Sequence, residues 1–140
     1  MTDTMASFAR ARLDEEEADA RAAMWDEQSG VWTARPPQAS YERYIIADYL
    51  DDGVVVVTPE NADPDGVAAH IARQDPARTL RRIARQRRAV EGHTECGSGG
   101  GYCDEGGHGW EGVPGGGCAD LYDIVAVWDD HPDYRQAWTL

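Results

Sequence analysis

The chain has 140 residues and a formal net charge of −13, because it contains 26 acidic and 13 basic residues. With 41% apolar residues and five tryptophans it has enough material for one hydrophobic core, which excludes a disordered chain. No apolar run approaches the roughly 20 residues that span a bilayer, and the N-terminus has no signal-peptide pattern. These features predict a single cytoplasmic domain over residues 1–140.

The N-terminal part predicts a helix and then three strands. Apolar residues recur at helical spacing from Met5 to Met24, around an acidic run that we expect on the solvated face. Residues 31–34, 41–49 and 54–58 are rich in β-branched and aromatic side chains, and Asp51-Asp52-Gly53 is a hairpin-turn sequence. We therefore expect a three-stranded antiparallel meander, with the first helix on one face.

Two consecutive helices follow the strands. The first is expected over residues 67–74 and the second from Asp75-Pro76 to Gly92, because aspartate caps a helix start and proline suits its first position. The second helix carries arginines on one face, at Arg78, Arg81, Arg82, Arg85 and Arg88. This stripe is a possible interaction surface.

The arginine stripe has two further interpretations. It could contact nucleic-acid phosphates, but the negative charge of the whole chain opposes direct binding and no aromatic residue interleaves the arginines for base stacking. It could also pair with the acidic residues of the chain itself, or with a protein partner.

A glycine-rich segment over residues 93–118 carries the metal-ligand candidates. Thiolate and imidazole groups suit zinc, which prefers four ligands in a tetrahedron, and clustered cysteines of a reducing compartment favour metal over disulfide. The predicted structural zinc site consists of His93, Cys96, Cys103 and Cys118, with His108 as an alternative ligand. The alternatives are a flexible loop with inert thiols and a redox-active cysteine pair.

A final helix is expected from Ala119 to Trp128, with a docked tail to residue 140. The predicted fold class is therefore α+β: an N-terminal helix, a three-stranded antiparallel meander, two consecutive helices, a zinc-stapled glycine-rich loop and a C-terminal helix. Residues 1–92 form the core of this arrangement, residues 93–118 the loop, and residues 119–140 the last helix and tail.

Two sequence segments resemble those of a known family: residues 69–78 (AHIARQDPAR) and residues 130–135 (DHPDYR). They are similar to uncharacterised actinobacterial and actinobacteriophage proteins grouped as domain-of-unknown-function family 6221. The resemblance extends to the first helix and to a basic helix that ends in a histidine, here His93. It implies a host or phage protein of the cell interior with a cluster of His93 and three cysteines, and it implies no activity. The family's close cysteine pair is spread here to Cys96 and Cys103, and a glycine insert precedes Cys118.

Three functional hypotheses follow. The first is a non-enzymatic accessory or regulatory protein that binds a protein partner and uses zinc structurally. The second is an acidic decoy that occupies a nucleic-acid-binding protein. The third, a metal-dependent enzyme, is disfavoured, because the chain has no phosphate-binding loop, nucleophile elbow, zinc-protease motif or dinucleotide fingerprint.

Overall fold

The computed structural model describes residues 4–94, 96 and 118–139, and it confirms the α+β fold. In chain order the elements are α1 (Met5–Ala22), β1 (Thr33–Arg35), β2 (Ile45–Ala47), β3 (Gly53–Val56), α2 (Pro64–Arg73), α3 (Pro76–Gly92) and α4 (Ala119–Val125). Short 3-10 helices follow at Ala126–Trp128 and Gln136–Trp138. Within these described residues no helix is both long and apolar enough to cross a membrane.

The chain divides into two compact units. The terminal unit comprises residues 1–15 and 83–140, and the central unit comprises residues 16–82. The boundary falls within α1 and within α3, so each of these helices supplies residues to both units.

The terminal unit has an aromatic core around Phe8. The Phe8 ring lies 5.1 Å from the ring of Trp138, 6.2 Å from Trp128 and 6.1 Å from Tyr134, measured between centroids. Aromatic pairs at such distances add stabilisation beyond the burial of their surface. The tail is thus held in the core, as the sequence predicts. The buried residues of this cluster are Ala6, Phe8, Ala9, Leu13, Ile83, Val90, Cys118, Leu121, Tyr122, Val125, Trp128 and Trp138.

The central unit is built on an antiparallel sheet of order β1-β2-β3. In the register, Ala34 lies opposite Ile46 and Ile46 opposite Val55, and Ala47 then lies opposite Gly53, so that Val54 is an extra residue in β3. The buried side chains Ile46 and Val57 pack with Ala68 of α2. The apolar residues that cover this sheet come from α2, so the expectation that α1 would cover it is wrong.

Local capping explains where the helices begin. At α1 the Thr4 hydroxyl accepts from the Ser7 amide at 3.0 Å, and the Ser7 hydroxyl accepts from the Thr4 amide at 3.0 Å. At α2 the Asp63 carboxylate accepts from the Gly66 amide. At α3 the buried Asp75 carboxylate accepts from the Arg78 amide at 2.8 Å. Each cap satisfies an amide that the helix itself leaves without a partner.

Candidate metal centre

The end of α3 positions the first two candidate ligands. The backbone continues past Gly92 in turns, since the His93 amide donates to the Val90 carbonyl at 3.1 Å and the Cys96 amide donates to the His93 carbonyl at 3.4 Å. These turns place the side chains of His93 and Cys96 on one side of the chain. Their Nδ1 and Sγ atoms lie 3.4 Å apart.

The third candidate ligand stands immediately before α4. Cys118 has extended backbone angles, and its carbonyl accepts from the amides of Leu121 and Tyr122 at 3.0 and 3.3 Å, which fixes the residue at the helix start. Its side chain is buried in the core of the terminal unit. The Cys118 sulfur lies 3.4 Å from Nδ1 of His93.

The three donor atoms form a compact group that could hold a metal ion. All of them lie within 4.8 Å of one another. A tetrahedral zinc with bonds of about 2.0–2.1 Å to nitrogen and 2.3 Å to sulfur requires nitrogen and sulfur to be about 3.5 Å apart. Both nitrogen–sulfur distances here are 3.4 Å, so the donor set fits the ion in chemistry and in spacing.

Asp120 completes the arrangement, and the sequence analysis did not identify it. Its Oδ2 atom lies 3.4 Å from Nε2 of His93, the ring nitrogen that faces away from the two sulfurs. Metal-binding histidines commonly direct their second nitrogen to a carboxylate, which fixes the ring and the tautomer. The signal that could have found it is the spacing Cys118-x-Asp120, which places the carboxylate in the first turn of α4.

The remaining predicted ligands, Cys103 and His108, lie outside the described residues. The structure therefore brings together His93, Cys96 and Cys118 from the predicted set. Three thiolate or imidazole donors with a further cysteine nearby in sequence are typical of a closed structural site. A catalytic zinc instead keeps one position open to water.

The arginine stripe is partly engaged within the chain. Arg82 contacts Glu16 of α1 at 2.6 Å, and the neighbouring Arg87 contacts Asp14 at 2.6 Å. These pairs draw part of the acidic run of α1 into contact with α3. For the exposed Arg81, Arg85 and Arg88, as for Arg78, the described residues supply no ion-pair partner, so an interaction role for this face stays a prediction.

The sequence analysis also missed an aromatic–carboxylate cluster in the central unit. The rings of Trp25 and Tyr49 stack with centroids 5.8 Å apart. The Trp25 indole donates to Asp48 at 2.7 Å, and the Tyr49 hydroxyl donates to Asp26 at 2.5 Å. The indole hydrogen bond, with those from the amides of Leu50 and Asp52, lowers the pKa of Asp48.

The Tyr49 hydroxyl is shifted in the opposite direction. Its hydrogen bond to Asp26 is the largest cause, and partial burial and the nearby carboxylates add to it, so that the pKa of Tyr49 rises to about 12. Phenolate formation would place a negative charge against a carboxylate, which the phenol form avoids.

The profile of the family of unknown function DUF6221 matches residues 2–140 of the chain. No curated protein matches the sequence. No solved structure matches it either.

Proposed function

We propose a structural zinc site as the central functional feature of this chain, which belongs to the family of unknown function DUF6221. The ligands are His93, Cys96 and Cys118, with Cys103 as the fourth and His108 as its alternative. The observation that carries the proposal is the convergence of one imidazole nitrogen and two sulfurs at distances that suit zinc.

The energetics support a structural rather than a catalytic metal. Structural zinc binding contributes roughly 10–16 kcal/mol of apparent free energy in small domains, more than a glycine-rich segment gains from packing. Two of the ligands lie at element ends, since His93 follows α3 and Cys118 precedes α4. The ion would tie these two elements together inside the terminal unit.

On this basis the protein is a non-enzymatic accessory or regulatory module that binds another protein, in an actinobacterium or its phage and in the cytoplasm. A four-ligand site leaves no coordination position for a substrate, which supports a binding role over zinc catalysis. The exposed arginines of α3 are one candidate surface for such a partner.

The metal content of protein purified without chelators tests the proposal. We expect one zinc per chain by elemental mass spectrometry, and its loss in Cys118→Ser and His93→Ala. His70→Ala is the matched control, because His70 is an exposed histidine on α2 in the other unit, and it should retain full zinc. A wild-type chain without metal, or a site unaffected by Cys118→Ser, would overturn the assignment.

The fourth ligand is tested by a second pair of variants. Loss of zinc in Cys103→Ser with retention in His108→Ala identifies Cys103 as the ligand, and the reverse pattern identifies His108. If neither variant loses zinc, the four-ligand site is contradicted. A disulfide between Cys96 and Cys118 in protein from a reducing compartment would instead support the redox interpretation.

Capture of partners from an actinobacterial lysate tests the binding role. Retention of one protein at high salt, with Arg81→Glu or Arg85→Glu weakening it, would support an accessory module that uses α3. Capture of nucleic-acid-processing proteins that is lost at high salt would instead support the acidic decoy, since salt screens charge-driven binding.

A further inference from the structure

The aromatic–carboxylate cluster of the central unit exposes two large rings to solvent. Trp25 is 60% exposed and Tyr49 is 44% exposed, and their rings stack with an angle of 16° between the planes. Each ring covers one face of its neighbour, so much of the remaining ring surface faces solvent. Exposed tryptophan and tyrosine side chains are typical of surfaces that bind other proteins.

Hydrogen bonds to carboxylates hold the two rings in place. The Trp25 indole donates to Asp48 and the Tyr49 hydroxyl donates to Asp26, so the polar end of each ring has a partner within the chain. Asp48 is buried, and its other oxygen accepts from two backbone amides of the following turn, at 3.0 and 3.2 Å. The rings are therefore positioned before a ligand binds, which lowers the entropy that binding costs.

The cluster carries negative charge that no described cation balances. The carboxylates of Asp26, Asp48 and Asp52 lie close enough to the tyrosine hydroxyl to raise its pKa. In the part of the chain that the structure describes, none of these three forms an ion pair, and Arg35 contacts the neighbouring Asp51 instead. Negative charge at the edge of each ring adds to the attraction that a ring face has for a cation.

The shape of the stack favours a guanidinium group over a rounded ammonium group. Quaternary ammonium groups and methylated lysines are bound by aromatic cages, in which several rings surround the cation. Two nearly parallel rings instead present flat surfaces. A planar guanidinium can stack on such a surface while its N–H groups donate to nearby carboxylates, and lysine has neither the plane nor the fixed fork of donors.

The negative charge also favours an arginine that belongs to another protein. Free arginine has a carboxylate of its own, which the three aspartates would repel, whereas an arginine side chain within a polypeptide has none. A second copy of this chain offers exposed arginines on α3, but each copy carries a net charge of −13, and this repulsion opposes their association. The occupant that the charges select is therefore a separate partner protein.

We propose that Trp25 and Tyr49 form a docking platform for an arginine side chain on an exposed segment of a partner protein. The guanidinium stacks on the exposed ring surface, and the aspartates of the cluster balance its charge. Tryptophan, tyrosine and arginine are the residues that most often dominate the affinity of protein interfaces. The inference rests on the protein-binding part of the proposed function and does not depend on the metal, whose described ligands lie in the terminal unit.

The test titrates the full chain with a short glycine–serine peptide that has blocked ends and two arginines. NMR follows the backbone amides of residues 48–52 and the indole N–H of Trp25, and we expect saturable shifts of these signals. Peptides with lysine or trimethyllysine in place of arginine keep the charge and should bind at least about threefold more weakly. A citrulline peptide keeps the shape without the charge and should bind at least about tenfold more weakly.

Removal of a ring tests the platform itself. Trp25→Ala should lower the affinity for the arginine peptide by about tenfold or more, measured through the same backbone amides. The matched control is Tyr41→Ala, because Tyr41 is an exposed aromatic residue of the same unit that takes no part in the stack. Its affinity should stay within about twofold of wild type.

A second variant tests the charge and keeps both rings. The side chain of Asp52 is exposed, and its amide rather than its carboxylate bonds to Asp48, so Asp52→Asn leaves the stack intact. This variant should lower the affinity by about threefold or more at low salt. Glu60→Gln removes the same charge beyond the other end of β3 and should change the affinity by less than about twofold.

Several results would overturn the proposal. They are equal affinity for the arginine and citrulline peptides, equal or tighter binding of the lysine or trimethyllysine peptide, and unchanged affinity in Trp25→Ala. Self-association that Trp25→Ala abolishes would also overturn it, because a second copy would then be the occupant. A chain that holds no zinc but prefers the arginine peptide would refute the metal site alone, and a zinc-loaded chain without this preference would refute the docking platform alone.

Discussion

At the scale of single residues, Arg12 is a buried charged side chain of the terminal unit, with 8% of its surface exposed. Its guanidinium carbon lies 5.0 Å from the centroid of the Phe8 ring, and its Nη2 donates to Glu15 at 2.9 Å. Nη1 lies 2.9 and 2.8 Å from the two ring nitrogens of His131 and 3.7 Å from Asp133. Arg12 therefore joins α1 to residues 130–135, one of the two segments on which the family resemblance rests.

Truncation of Arg12 should destabilise the protein more than truncation of an exposed arginine. Breaking a buried charged contact costs several kcal/mol, so we expect Arg12→Ala to lower the free energy of unfolding by about 2–4 kcal/mol. The control is Arg21→Ala, whose exposed pair with Glu17 should contribute at most about 1 kcal/mol. Urea denaturation measures both, and equal losses would contradict a special role for Arg12.

A methionine at position 12 separates packing from charge. The Nε atom of Arg12 is buried and has no hydrogen-bond partner among the described residues, so part of the polar side chain is buried without compensation. Methionine keeps the contact with Phe8 and removes that cost. Arg12→Met should therefore lose about half as much stability as Arg12→Ala, by the same denaturation.

Tyr49 provides a pH-dependent prediction. Its pKa rises from 10.0 to about 12 in the fold, so its contribution to stability is complete below pH 10 and is lost as the pH rises towards 12. Ultraviolet titration should show the ionisation of Tyr49 near pH 12. In Asp26→Asn this group should ionise at lower pH, because the carboxylate is the main cause of the shift. An unchanged titration curve would contradict that cause.

At the scale of elements, Asp75 joins α3 to the segment that precedes β1. One carboxylate oxygen accepts from the Arg78 amide, and the other accepts from the Trp32 amide at 3.1 Å. The Ala77 amide donates to the Gly30 carbonyl at 3.0 Å in the same region. Asp75 therefore both caps α3 and makes a tertiary contact within the central unit.

Removal of the two aspartate caps should have unequal effects. Asp75→Ala leaves two amides without their partner at a buried position and should cost about 2 kcal/mol. Asp63→Ala, at the exposed start of α2, removes one hydrogen bond and should cost about 1 kcal/mol or less. Thermal denaturation compares them, and a cost for Asp63→Ala that equals or exceeds that for Asp75→Ala would refute the argument.

Ion pairs join α1 and α3 within each unit. Arg10 contacts Glu91 at 2.6 Å and Arg87 contacts Asp14 in the terminal unit, while Arg82 contacts Glu16 in the central unit. The pairing with Arg10 lowers the pKa of Glu91. Because these pairs are at the surface, salt screens them and their share of the stability is small.

At the scale of the whole molecule, the metal should affect the two units differently. The described ligands belong to the terminal unit, so chelation should raise amide exchange in α4 by about tenfold or more. The amides of Ile46 and Val57, in the central unit, should change by less than about twofold. Hydrogen exchange with and without chelator measures this, and an equal loss of protection in both units would contradict a local metal effect.

The sequence by itself determined the class and order of the elements. Hydrophobic periodicity located α1 and α3, Asp75-Pro76 located the start of α3, and the valine run located β3. It also identified His93 and the cysteines as candidate metal ligands, because these residue types have few other roles in a glycine-rich segment. These signals are local, because they depend on residues that are neighbours in the sequence and not on tertiary contacts.

The tertiary structure decided what depends on residues far apart in the chain. The contacts of His93 with Cys118 and Asp120 and of Arg12 with His131 join segments that the sequence separates, and no local pattern encodes them. The apolar residues packed against the sheet come from α2 rather than α1. Both helices carry apolar residues, so the sequence pattern alone does not indicate which of them packs there. The exposure of β3 was equally unpredictable, because a run of valines indicates a strand without indicating whether anything lies against it.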